Sequence, residues 1–108
     1  MPDQKGYPTD EELKKIKNWD VRKSENAHEL MGFIREIWWN SDWGFEVNEV
    51  GAAHHKKYIL HTIGWSGNED IIWALRCNKY DFWPFYWLLS ERGGHYTFVI
   101  PINKKLGK

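Results

Sequence analysis

The stretch Gly64-Trp65-Ser66-Gly67-Asn68-Glu69-Asp70 joins an extended apolar run, Tyr58 to Ile63, to a helical one, Ile71 to Arg76. This strand-to-helix corner constrains the fold more than any other part of the chain. Ser66 followed three residues later by Glu69 has the spacing of a capping box, in which the serine oxygen accepts from the Glu69 N–H and the Glu69 carboxylate reaches back to the Ser66 N–H. A helix is predicted to start there. Gly64 and Gly67 allow a turn or a close backbone approach, and the unpaired N–H groups of a helix start can face an anion. A capped turn that holds no ligand satisfies the same pattern.

Upstream, Thr9-Asp10-Glu11-Glu12 supplies a second capping box with acidic residues in the first turn, where the helix dipole favours them. Leu13, Ile16 and Trp19 give that first helix a thin apolar stripe. Ser24 is the predicted cap of a longer helix, in which Ala27, Leu30, Met31, Ile34 and Trp38 follow three-and-four spacing and Phe33, Ile37 and Trp39 widen the face; Asn40-Ser41-Asp42 ends it. Trp43 to Val47 alternates as a half-buried strand does, and Lys56 to Ile63 is a β-branched and aromatic run expected to pair with it. The connection, Asn48 to His55, holds Gly51 and the adjacent His54 and His55, whose divergent directions make a poor metal chelate.

After the corner, Ile71, Ile72, Leu75 and Trp73 predict a helix that stops near Asn78. Phe82 to Leu89 reads as a ring-rich strand with Pro84 near its start, Arg92-Gly93-Gly94-His95 as a turn, and Tyr96 to Ile102 as its antiparallel return. The expectation is therefore a single α+β domain over residues 9–103, with a lead-in at 1–8 and a basic tail at 104–108. It has a four-stranded, mostly antiparallel sheet and about three helices, in the order ααββαββ.

The totals narrow the function classes. Over 108 residues, 15 basic and 15 acidic side chains cancel, so the broad positive field behind nonspecific nucleic-acid binding is missing. No apolar run approaches the roughly 18 residues of a membrane span, and Met-Pro-Asp-Gln-Lys lacks the apolar core of a signal peptide, so a cytoplasmic location is expected. A lone Cys77 makes neither an intramolecular disulfide nor a multi-cysteine zinc site, and it reads as a partly buried helix residue. Eight tryptophans within a 17% aromatic fraction leave two readings open: rings as core filler, or a surplus lining a recognition surface. That surplus and the zero net charge also predict a homodimer.

His61-Thr62 and the corner Gly64 to Glu69 ahead of Ile71-Ile72, then Phe82-Trp83, Tyr86-Trp87, Ser90 and Arg92-Gly93-Gly94-His95-Tyr96, resemble a pattern found in small phage and prophage proteins. The resemblance covers roughly residues 56–102 and carries no assigned activity. It implies a cytoplasmic setting in an infected or lysogenic bacterium and raises one function class, the countering of host defence.

The two glycine-containing turns are polar islands in an aromatic half. If they share a cleft, Trp65 and Tyr96 offer stacking faces, Ser66, Gly67 and Asn68 offer backbone donors, Arg92 a planar fork and His95 a switchable donor. That set describes a nucleotide-like anionic ligand, sequestered without turnover. Alternatively, Trp38, Trp39 and Trp43 anchor a protein-surface inhibitor on a host defence protein, in the manner of an anti-CRISPR factor. A small hydrolase is the remaining reading, with Ser66, His61, His95, Glu69 and Asp70 as raw material, but no nucleophile elbow, phosphate loop or zinc signature is present. No catalytic residue, cofactor or metal is assigned.

Overall fold

The computed structural model describes residues 7–50 and 55–102. At its centre is a four-stranded sheet built from β1 (Phe45–Val50), β2 (His55–His61), β3 (Trp87–Glu91) and β4 (His95–Pro101), in the order β1-β2-β4-β3 with every neighbour antiparallel. Among the described residues five helices accompany it: α1 (Asp10–Asn18), α2 (Ser24–Ile37), the short α3 (Ser41–Gly44), α4 (Ser66–Arg76) and the short α5 (Phe82–Tyr86). The α+β class, the antiparallel sheet and the broad order αα ββ α ββ agree with the sequence expectation. Most of the lead-in, Gly51 with His54, and the tail from Asn103 lie outside the described residues.

Strand alternation divides the sheet into two faces. Tyr58, Leu60, Phe98 and Ile100 are buried and join Ile16, Leu30, Met31, Ile34, Ile37, Ile71, Leu75 and Phe82 in one core. Leu30, Met31 and Ile34 are fully buried, as three-and-four spacing requires. Ile59, Val99 and Leu89 fall on the other face and belong to no core cluster of the described residues. The helices therefore cover one face, and among the described residues none is long and apolar enough to cross a membrane.

Caps account for the differences in detail. Thr9 makes its box as expected, its hydroxyl accepting from the Glu12 N–H at 3.0 Å and its own N–H donating to the Glu12 carboxylate at 2.9 Å. Ser66 does not. Ile63 and Gly64 take positive φ of 58° and 68°, the Trp65 N–H closes the turn onto the Thr62 carbonyl at 2.9 Å, and Trp65 becomes the N-cap without a side-chain capping bond. Ser66 is thus already helical, and its hydroxyl donates to the Tyr7 oxygen at 3.2 Å. Ser24 is likewise the first helical residue, behind an uncapped Lys23.

The second helix ends at Ile37 rather than Asn40, because Trp38 turns extended and drops its ring into the core. Trp43 belongs to α3, so β1 begins at Phe45. Phe82–Tyr86 is a helix rather than a strand. Asn78 reaches back with Nδ2 to the Ile16 and Trp19 carbonyls while its Oδ1 accepts from the Tyr80 and Phe82 N–H groups, and Asp81 at φ 65° leads into α5. Pro84 sits in that helix's first turn, where its missing N–H leaves no bond unmade. Trp73, grouped in the sequence with the apolar residues of α4, is exposed, and so is Cys77, which caps the helix instead of lying partly buried within it.

Candidate functional site

The two glycine-containing turns meet. The Thr62 N–H donates to the Gly94 carbonyl at 2.9 Å, and the Thr62 carbonyl in turn accepts from Trp65, so a single buried residue holds both turns. Gly94 fits this approach because it has φ 82° and no side chain: a Cβ there would lie 2.1 Å from Thr62 Oγ1. Among the described residues the Thr62 hydroxyl has no hydrogen-bond partner.

Beside this seam, β2 and β4 set His61 directly opposite His95. The rings meet edge to face with centroids 4.6 Å apart, and the two Nδ1 atoms are hydrogen-bonded. His61 Nε2 lies 3.2 Å from Glu46 Oε2 on β1. With both rings neutral, a carboxylate that accepts at His61 Nε2 requires the proton there, which leaves His61 Nδ1 as an acceptor. His95 must then donate from Nδ1, so its Nε2 keeps the lone pair. The arrangement is a carboxylate-oriented imidazole pair whose outermost basic atom is His95 Nε2. From the far side, Glu91 on β3 pairs with His95 in register, so carboxylates flank the pair on both edges.

The expected ligand residues are only partly assembled. Trp65 is half-buried, stacked on Trp39 with centroids 4.7 Å apart and tilted against Tyr7 at 4.9 Å. Arg92 is exposed in the turn and has no ion pair or side-chain hydrogen bond among the described residues; His95 lies next to it in the hairpin. Gly67 and Asn68, however, are buried, and Asn68 is fully used: its Oδ1 accepts from the Trp39 N–H, and its Nδ2 donates to the Trp39 and Thr62 carbonyls. The Asn68 side chain braces the corner, with both of its amide hydrogens already donated. Ser66 is exposed but engaged with Tyr7. Tyr96 lies on the core face, edge-on to Trp83 at 6.0 Å, on the opposite side of the sheet from His95. Tyr96 and His95 therefore cannot contact one ligand from the same side.

The alternative anchor set also changes. Trp38 is 3% exposed and part of the core, Trp39 lies under Trp65, and only Trp43 stands out, at 77%. Glu46 had no signal in the sequence, since strand register brings it to His61. His55, the described half of the histidine pair, lines a separate cleft of about 390 Å³ with Arg22, Phe85 and Pro101, at the other end of the β2–β4 ladder. Among the described residues, no group of three or more His, Cys, Asp or Glu side chains is placed to hold a metal.

A further polar pair lies on the core face. The Tyr58 hydroxyl donates to His28 Nδ1 at 2.7 Å while His28 Nε2 donates to the Pro101 carbonyl at 2.8 Å, and burial pushes the Tyr58 hydroxyl up to about 12.

No family model matches the chain, and no curated protein or solved structure is significantly similar to it.

Proposed function

We propose that the chain is a non-enzymatic binding protein that takes a nucleotide-like anionic molecule at the seam between the Gly64–Glu69 corner and the Arg92–His95 hairpin. One observation carries this reading. Thr62 bonds both turns, which brings Trp65, Arg92 and His95 to the same end of one sheet. Arg92 supplies a free guanidinium fork for phosphate or carboxylate, and the accessible part of the Trp65 ring offers a stacking surface for a base. Glu46 and Glu91 flank the imidazoles, so the anion is held at the turn by Arg92 rather than over the sheet. Binding is favoured over hydrolysis because neither nearby hydroxyl stands free at the surface: Thr62 is buried beneath Gly94, and Ser66 donates to Tyr7.

The setting belongs to the proposal as well. The resemblance over residues 56–102 supports a phage-encoded protein that counters host defence by sequestering a nucleotide signal in the cytoplasm of an infected or lysogenic cell. Thermal shift against a panel of linear and cyclic nucleotides tests the binding reading, since a ligand raises stability by RT ln(1 + [L]/Kd). Arg92→Ala should weaken the responding nucleotide by about 1.5–3 kcal/mol and Trp65→Ala by about 1–3 kcal/mol, with Arg92→Lys intermediate. A flat response across the whole panel overturns it.

A second reading, an inhibitor that docks on a host defence protein, is favoured by the exposed Trp43. Capture of a defined host protein that is lost on Trp43→Ala would support it.

A further inference from the structure

The sheet ends on two unlike edges. β1 carries Glu46, Asn48 and Glu49, the kind of residues that keep an unpaired strand from meeting another. β3, the opposite edge, reads Trp87-Leu88-Leu89-Ser90-Glu91; all five residues are exposed, and only the last is charged. Trp87 is 41%, Leu88 51% and Leu89 38% exposed, and Phe85 just ahead of them is 71% exposed. Among the described residues no further strand pairs with this outer edge.

We propose that the occupant of this edge is a second copy of the chain, with β3 paired antiparallel to β3 about a two-fold axis at Leu89. The inference stands apart from the ligand reading. Antiparallel self-pairing is the arrangement in which one surface complements itself. It sets Leu89 against Leu89 and places each Glu91 opposite the partner's Trp87, so the edge's single carboxylate is kept from its symmetry mate. A parallel arrangement would align Glu91 with Glu91. Leu89 pairs with Thr97, which pairs with Ile59, so the two-fold contact also continues the Ile59–Thr97–Leu89 row of this face into the partner.

Size and edge chemistry set the character of the contact. A standard interface buries about 800 Å² per partner, and a large ring about 150–250 Å² when fully covered. Partly exposed Phe85 and Trp87 with two leucines supply a few hundred Å² at most, so association is reversible. The register shift between Trp87 and Leu89 shortens the regular ladder in the same direction. The charged β1 edge stops further growth, so the assembly closes as a dimer, and zero net charge offers no opposing repulsion.

Sedimentation of the full chain over a wide concentration range tests the proposal. The wild type should shift from monomer to dimer, and Leu89→Lys, which sets two cations face to face, should stay monomeric with an unchanged far-ultraviolet spectrum. In a Cys77→Ser background, Leu89→Cys should form a covalent dimer under mild oxidation much faster than Glu49→Cys on the other edge, because directly opposed strand residues lie within disulfide reach. A wild type that is monomeric at every concentration overturns the inference. So does a dimer that survives Leu89→Lys, or equal cross-linking at the two edges.

Discussion

Asn68 holds Trp39 by both of its backbone groups, accepting from the N–H at 2.9 Å and donating to the carbonyl at 3.2 Å. This ties the end of α2 to the first turn of α4. Asn68→Ala leaves the partly buried Trp39 N–H and carbonyl without this partner, and each such loss costs up to about 1–3 kcal/mol. Asn68→Asp should be at least as damaging, since its second oxygen would face the Trp39 and Thr62 carbonyls. Chemical denaturation checks both, and a midpoint close to wild type for Asn68→Ala would remove the brace from this account.

Gly64 and Gly94 both have positive φ, but only Gly94 is also hemmed in. Gly64→Ala meets open space and should cost about 1 kcal/mol, from backbone conformation alone. Gly94→Ala adds a collision with Thr62 and should lose clearly more, with the hairpin displaced from the corner. Comparing the two denaturation midpoints decides it: equal losses would mean that the seam is not closely packed.

The two capping-box patterns should behave differently on mutation. Thr9→Ala removes a working cap and should lower stability by about 0.5–2 kcal/mol. Ser66→Ala removes a hydroxyl that caps nothing, so the change should stay within about 0.5 kcal/mol. Melting curves of the two variants side by side are enough, and a large loss for Ser66→Ala would place the cap back on Ser66.

Tyr58 sets an alkaline limit. Its folded-state pKa is raised from 10.0 to about 12, so the folded chain holds this proton over a range in which the unfolded chain releases it. The stabilisation is complete below about pH 10 and declines as pH rises towards about 12. Tyr86 contributes in the same direction, because burial raises it too. Tyr58→Phe should flatten, without abolishing, the fall in stability between about pH 10 and 12. Denaturation midpoints across that window check the slope, and an unchanged slope would dismiss Tyr58 as its source.

The features legible in the sequence are those whose partners lie within a few residues. The Thr9–Glu12 box, the Leu30, Met31 and Ile34 face and the glycine hairpin at 93–94 depend on spacings of a turn or less. Local pattern misled wherever a distant group competed with it. At the corner, the turn closed by Thr62 and held by Asn68 put the N-cap at Trp65, one residue ahead of Ser66. At Phe82, the alternating rings suit a strand or a short helix, and Asn78, anchored to the carbonyls of Ile16 and Trp19, accompanies the helix.

The same division runs through the candidate site. Residue chemistry alone marked Trp65, Ser66, Gly67, Asn68, Arg92, His95 and Tyr96 as the groups suited to an anionic ring-bearing ligand, and the glycines as the points where the backbone could bend. Tertiary structure alone joined the two turns, placed Tyr96 on the opposite face from His95, and brought Glu46 and His61 to His95. Those relations depend on strand register across sequence separations of 15 and 34 residues, and register is set by which faces are buried together rather than by any neighbouring residue.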